Sequence, residues 1–267
     1  MEKLSVAIIT KNEEDRLRKT LSALKDFADE IIVVDSGSTD RTVEIAKSFG
    51  AKVFIEDWKG YAEQRNSALE KTTYDWILFL DADEVVSEEL KTSIRKILKS
   101  PTADGFYIRR KTYYLGKFLN FVWNNDWVLR LVNKKANPRW VGNIHETLIL
   151  EGKTQKIQKG VIYHYTYRSL EEHFRKSFQY ALLSAIEYHR RGKKFSLFKA
   201  IFNPLWAFFK VYFLKLGFLD GWRGLVIAFS YLFNGFLKYA ILWDLERHPK
   251  GRVQNSKPNK EQKRKTP

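Results

Sequence analysis

The chain has 267 residues, no cysteine, and 47 Lys and Arg against 31 Asp and Glu, a formal charge of +16. That length fits one large domain or a domain with an appendage, and the missing thiols exclude disulfide scaffolds, cysteine-ligated zinc, iron–sulfur clusters and thiol catalysis. The charge is lopsided, with 24 basic and 23 acidic side chains in residues 1–150 but 23 and 8 in residues 151–267, which argues against a uniformly basic coat and a nucleic-acid partner.

The apolar run Leu4–Ile9 leads directly into Lys11-Asn12-Glu13-Glu14-Asp15. It is too short for a signal peptide and reads as a buried first strand. Glu30–Val34, Lys52–Ile55 and Trp76–Leu80 read as further strands. Glu14–Lys25, Asp40–Ser48, Tyr61–Lys71 and Ser87–Leu98 read as the helices between and after them, with Asp40 and Ser87 as N-caps. This alternation predicts an α/β fold, a Rossmann-like, mainly parallel sheet flanked by helices. In such sheets ligands bind beyond the carboxyl ends of the strands. Thr10-Lys11-Asn12, Asp35-Ser36-Gly37-Ser38 and Asp81-Ala82-Asp83 all follow predicted strands, so three polar clusters converge on one crevice.

From Gly105 the pattern turns β-rich, with Phe106–Arg110, Val128–Val132, Leu148–Leu150 and Val161–Tyr165 as strands. Leu170–Arg191 returns to a helical period, and apolar residues continue at three- and four-residue steps from Phe195 to Leu216. Leu225–Trp243 is 19 residues long with Lys238 as its one charge, and 16 of the 40 aromatic residues fall between Phe195 and Trp243. The organisation expected is an α/β domain over 1–168, in two halves at 1–100 and 101–168. A helical amphipathic region over 169–246 and a basic tail at 247–267, read as disordered, follow. A cationic, aromatic back suits an anionic membrane surface. A span needs about 20 apolar residues, and Phe195–Phe218 is punctured by Lys199, Lys210 and Lys215. Interfacial attachment is therefore expected ahead of a soluble core, an oligomer interface or a single span.

Asp81 and Asp83 end a fully apolar strand, and two such carboxylates repel unless a cation sits between them. They can present oxygens to one divalent metal whose other ligands are phosphate oxygens; otherwise they are two solvated loop acids.

The successive segments Ser5-Val-Ala-Ile-Ile-Thr-Lys-Asn12-Glu13, Ile32-Val-Val-Asp35-Ser-Gly-Ser-Thr-Asp40, Gly60-Tyr-Ala-Glu-Gln-Arg65-Asn66 and Leu80-Asp-Ala-Asp-Glu84 resemble the motifs of family 2 glycosyltransferases with the A-type nucleotide-sugar fold. The later Arg130-Leu, Trp140-Val-Gly-Asn-Ile-His145-Glu146 and the C-terminal helices resemble, more narrowly, bacterial lipopolysaccharide core glucosyltransferases. The resemblance implies that Thr10, Asn12 and Glu13 or Glu14 line the nucleoside pocket and that Asp35 contacts uracil or ribose, although Asp35 could instead cap its own turn. It places Arg65 beside the diphosphate, Asp81 near ribose or sugar, Arg130 in the nucleotide-sugar site and Asp83 on a divalent cation, Mg²⁺ or Mn²⁺. His164 is either a second metal ligand or a satisfied strand histidine.

Glycosyl transfer also needs a base for the acceptor hydroxyl. Glu146 is the expected base and His145 its orienter or alternative, on a loop whose Trp140 could stack a sugar; an ion pair between Glu146 and Arg130 is the competing role. The implied activity is inverting transfer of one sugar, glucose, from a UDP-sugar to a lipid-linked glycan such as lipopolysaccharide heptose. It would take place at the cytoplasmic face of the inner membrane. A polyprenyl-phosphate glycosyltransferase and a non-catalytic membrane adaptor are the rival readings.

Overall fold

β1 (Leu4–Thr10) is buried along its whole length, as a central strand covered by helices on both faces must be. The computed structural model describes residues 2–124, 126–142 and 146–248. β1 pairs in parallel with β2 (Glu30–Asp35), which pairs in parallel with β3 (Lys52–Ile55), and on its other side with β4 (Trp76–Asp81). The helices between and after them are α1 (Glu14–Leu24), α2 (Thr42–Ser48), α3 (Tyr61–Glu70) and α4 (Glu88–Lys99).

The two-residue period of β1 sorts its side chains between the two layers. Val6 and Ile8 join Leu17 and Leu21 of α1 and Leu90 and Ile94 of α4. Ala7 and Ile9 join Ala62, Ala68 and Leu69 of α3. Ser87 caps α4, its Oγ accepting from Leu90 N at 3.2 Å. Asp40 does not sit at the N-cap of α2, because the helix starts one turn position later with Arg41 there. The Asp40 carboxylate instead accepts from Thr42 N at 3.0 Å and Glu14 N at 3.3 Å, joining α2 to the start of α1.

β5 (Glu84–Val86), β6 (Gly105–Tyr114), β7 (Lys117–Phe118) and β8 (Asp126–Asn133) follow, then β9 (Arg139–Val141), β10 (Thr147–Ile149), β11 (Thr154–Lys156) and β12 (Ile162–Tyr165). The main sheet runs β3-β2-β1-β4-β8-β6-β12-β5. The parallel half stops at β4; β8 is antiparallel to both β4 and β6, so the whole sheet is mixed. β9 and β10 form a separate antiparallel pair with Val141 opposite Thr147, which fixes both ends of the segment leading to Glu146.

One buried carboxylate ties the strand starts together. Glu30 accepts from Ser5 Oγ at 2.7 Å, Thr73 N at 2.7 Å and Lys52 Nζ at 2.8 Å. Burial alone would raise its pKa, but these donors hold it at about 2, against 4.5 for a free glutamate. The depressed value means its stabilisation is complete above about pH 4.5 and lost as pH falls towards about 2. Glu30→Gln is expected to cost about 1–3 kcal/mol at pH 7. Denaturant titrations of both proteins should show the difference shrinking as pH falls below 4.5.

The first compact unit is Met1–Thr166 and the second begins at Tyr167. The second holds α5 (Leu170–Arg190), α6 (Leu197–Phe209) continued by a π-helical turn over Lys210–Leu214, and α7 (Trp222–Arg247). One of its buried apolar clusters is Ala185, Ala200, Tyr239, Leu242 and Leu245, and Ala181, Val211, Ile227 and Ala228 are also buried. A Cβ on Gly235 would lie 3.2 Å from the Pro204 ring, so the glycine lets α7 approach α6 closely. The outer faces stay apolar, with Phe198 66%, Trp206 58% and Trp222 71% exposed. Leu197–Leu214 and Trp222–Arg247, with mean hydropathies of 1.3 and 1.6, are long and apolar enough to cross a membrane by length and composition. The basic tail from residue 249 onward lies outside the described residues.

Candidate functional site

Strand register builds the site. Thr10 lies opposite Asp35, and Ile9 opposite Asp81, so the three predicted clusters do share one sheet edge. Asn12 takes a left-handed backbone (φ 54°), donates from its N to Ser38 Oγ at 2.8 Å and accepts from Thr39 N at 2.8 Å through Oδ1. Glu14 accepts from Arg41 N at 2.9 Å. Asp35 is fully buried and accepts from Gly37 N at 3.0 Å, Ser38 N at 2.7 Å and the Ser38 hydroxyl, so it holds its own turn. Asn12, Glu14 and Asp35 thus lock the β1–α1 and β2–α2 loops into one floor beside Thr10.

Asp81 and Asp83 part ways. Asp81 accepts from Arg65 Nη2 at 2.6 Å and Arg130 Nη2 at 2.7 Å. Burial works against its charged form, yet the two guanidiniums hold its carboxyl well below the usual carboxylate range. Asp83 turns the other way, with its Oδ2 3.1 Å from Arg16 Nη1 and 3.6 Å from His164 Nε2. Its pKa is also lowered against the effect of burial, chiefly by His164, and that of His164 is raised by Asp83 despite burial. The carboxylate repulsion that called for a cation is therefore answered largely by protein cations.

Arg65 also donates to Glu146 and lies 4.5 Å from the Trp140 ring. Glu146 thus pairs with Arg65 and not with Arg130, which instead reaches Asp81 and, at 3.0 Å, Glu84. Trp140 is only 7% exposed and packs edge-on against Phe79 at 5.3 Å, so the sugar-stacking role expected for it is not available. It supports the two arginines instead. His145 lies outside the described residues.

Glu84 and Arg110 receive no role from the sequence alone. Glu84 is wholly buried because β5 pairs with β12, accepts from Asp81 N at 3.0 Å, and pairs with Arg110 at 3.2 Å; Arg110 also pairs with Asp126. The place of Glu84 directly after the acidic pair was the available signal, but its burial depends on its strand partner His164, 80 residues away.

Buried polar side-chain atoms with no partner, among the described residues, are Thr10 Oγ1, Ser36 Oγ, Gln64 Nε2, Arg130 Nε and Nη1, and Trp140 Nε1. All belong to the ends of β1 and β2 or to the α3, β8 and β9 residues around Arg65. A buried unpaired donor costs about 1–3 kcal/mol, and a ligand rich in oxygen could satisfy the donors at this edge. Asp83 and His164, 3.6 Å apart, are the carboxylate and imidazole that would share a divalent cation here. No group of three His, Asp or Glu that could hold a metal occurs among the described residues.

A parallel half-sheet with polar loops at its carboxyl edge, extended by a mixed half-sheet carrying buried arginines, defines an α/β protein of the glycosyltransferase A type. The family model "Glycosyl transferase family 2" matches residues 5–148, and the chain belongs to that family. An uncharacterized glycosyltransferase of Rickettsia typhi is 36% identical over 259 residues, covering 92% of this chain and 88% of that one. The lipopolysaccharide core biosynthesis glycosyltransferase LpsC of Rhizobium meliloti is 30% identical over 262 residues, covering 92% and 93%. Among solved structures, Staphylococcus aureus TarS 1–349 in complex with UDP aligns over 94% of this chain and 93% of its own at 15% identity, with a TM-score of 0.48.

Proposed function

We propose that this chain is a metal-dependent, inverting glycosyltransferase that moves one sugar, glucose, from a UDP-sugar to a lipid-linked glycan such as the heptose of a lipopolysaccharide core. The observation that carries the reading is the pair of buried guanidiniums on Asp81, of which Arg130 keeps Nε and Nη1 unpartnered. Such donors match a diphosphate. The acceptor class is supported by the 30% identity to a lipopolysaccharide core enzyme over 92% of the chain.

Glu146 takes the proton of the acceptor hydroxyl, whose oxygen attacks the anomeric carbon from the face opposite the diphosphate. The bond from that carbon to the β-phosphate oxygen breaks, and its electron pair leaves with UDP. Arg65 and Arg130 stabilise the charge that gathers on the leaving group. A cation held by Asp83 and His164 would add charge neutralisation there. Calorimetry tests the donor half: UDP should bind the wild type more tightly with Mn²⁺, and Asp83→Ala should abolish that difference. A wild type whose UDP affinity ignores Mn²⁺ would refute metal dependence.

The second unit serves to bring the enzyme, as a peripheral protein, to the cytoplasmic face of the inner membrane. Exposed Phe198, Phe202, Trp206 and Trp222 suit the headgroup boundary, and each nearby basic residue adds about 1 kcal/mol on an anionic surface. Binding to vesicles containing phosphatidylglycerol should weaken as the Debye length falls from about 10 Å at 0.1 M salt to about 3 Å at 1 M. Salt-insensitive binding would contradict the electrostatic part of this attachment.

A further inference from the structure

With Trp140 buried, the site needs another surface to hold a sugar ring, and the loop before α3 supplies one. Trp58 and Tyr61 are 47% and 48% exposed, and their rings meet edge-to-face at 4.7 Å. The Tyr61 ring lies 6.0 Å from the Arg65 guanidinium, the same group that holds Glu146. The pair is therefore linked through the Arg65 guanidinium to the residue assigned as base.

The loop that carries it is anchored at both ends. Glu56 N donates to Asp35 O at 2.9 Å, fixing the loop to the end of β2. The Glu56 carboxylate accepts from Ser67 Oγ at 2.7 Å and Lys71 Nζ at 2.5 Å, and these contacts, Lys71 foremost, hold its pKa at about 2. At the other end Gly60 adopts φ 112°, a conformation open to glycine and strained for other residues, and turns the chain into α3. Trp58 is thus held exposed on a fixed loop and Tyr61 as the first residue of α3.

We propose that Trp58 and Tyr61 form the acceptor subsite, stacking the C–H face of a pyranose in the glycan that receives the sugar; this rests on the function proposed above. Aromatic faces pack against apolar surface while leaving polar edges wet. The exposed Asp57, Lys59 and Glu63 around the pair offer partners to ring hydroxyls, which an acyl chain lacks.

The test is calorimetry with a lipid-free core oligosaccharide ending in heptose, titrated into full-length protein saturated with UDP. Wild type should bind it; Trp58→Ala should weaken binding about tenfold, Trp58→Phe should restore most of it, and both should keep the wild-type affinity for UDP. Three results overturn the subsite: a UDP-binding wild type that ignores the oligosaccharide, a Trp58→Ala that binds it normally, or a Trp58→Ala whose UDP affinity falls in step, which would place the pair on the donor. A wild type that fails to bind UDP at all overturns the proposed function itself, a separate outcome.

Discussion

Glu146→Gln is expected to lower kcat by about 10²–10⁴-fold and to leave the affinity for UDP intact. Glutamine keeps the shape of the side chain and an oxygen with which to accept from Arg65, so the Arg65–Trp140 arrangement survives the change. What it loses is the capacity to take a proton. The loss should appear in kcat because proton transfer belongs to the reacting step and not to donor binding. Arg65 sharpens the expectation. Its guanidinium faces Asp81 and Glu146 together, and the variant removes one of those negative charges from the neighbourhood of the diphosphate. UDP affinity should therefore hold or rise. Steady-state kinetics with calorimetry for UDP measure both quantities. A variant that keeps most of its activity overturns the base assignment and points to an acceptor, such as a polyprenyl phosphate, that needs no deprotonation.

The part of the site closest to local pattern was legible from the residues. The alternation of apolar runs and helical stripes fixed β1 to β4, and the shared sheet edge followed from strand ends. The partners of the charged groups were not legible, because they are set by tertiary placement. Glu146 finds Arg65, 81 residues away, and Arg130 finds Asp81, 49 residues away. Nothing in either segment distinguishes one arginine from the other. Trp140 illustrates the same limit: its three-residue strand pairs with β10 and lays the indole against Phe79, so an aromatic that looks free beside a Gly-Asn loop is buried. Trp58, in a charged stretch, gave no such signal and is exposed. Pattern told where polar groups cluster; packing decided which of them face a ligand and which hold the others in place.

Arg130→Met is expected to be the most damaging single change to stability, at about 3–5 kcal/mol. The side chain is 4% exposed and lies 2.7 Å from Asp81 and 3.0 Å from Glu84, which is itself wholly buried. Methionine fills much of the volume but leaves two carboxylates in the interior, with Arg65 and Arg110 as their remaining cations. Breaking a buried ion pair is costly for that reason: the penalty is the stranded charge more than the lost attraction. Asp81 then regains the upward pull of burial on its pKa. Its contribution to stability, present above the unfolded carboxylate's pKa and lost only as pH falls well below it in the wild type, should in the variant be lost at a higher pH. A double-mutant cycle separates this account from simple loss of packing. If the cost comes from stranded charge, Asp81→Asn combined with Arg130→Met should be less destabilised than the sum of the single changes, by about 1–3 kcal/mol of coupling in denaturant unfolding. Additive losses would instead assign the damage to packing around Trp140, where the Arg130 guanidinium lies 5.7 Å from the ring.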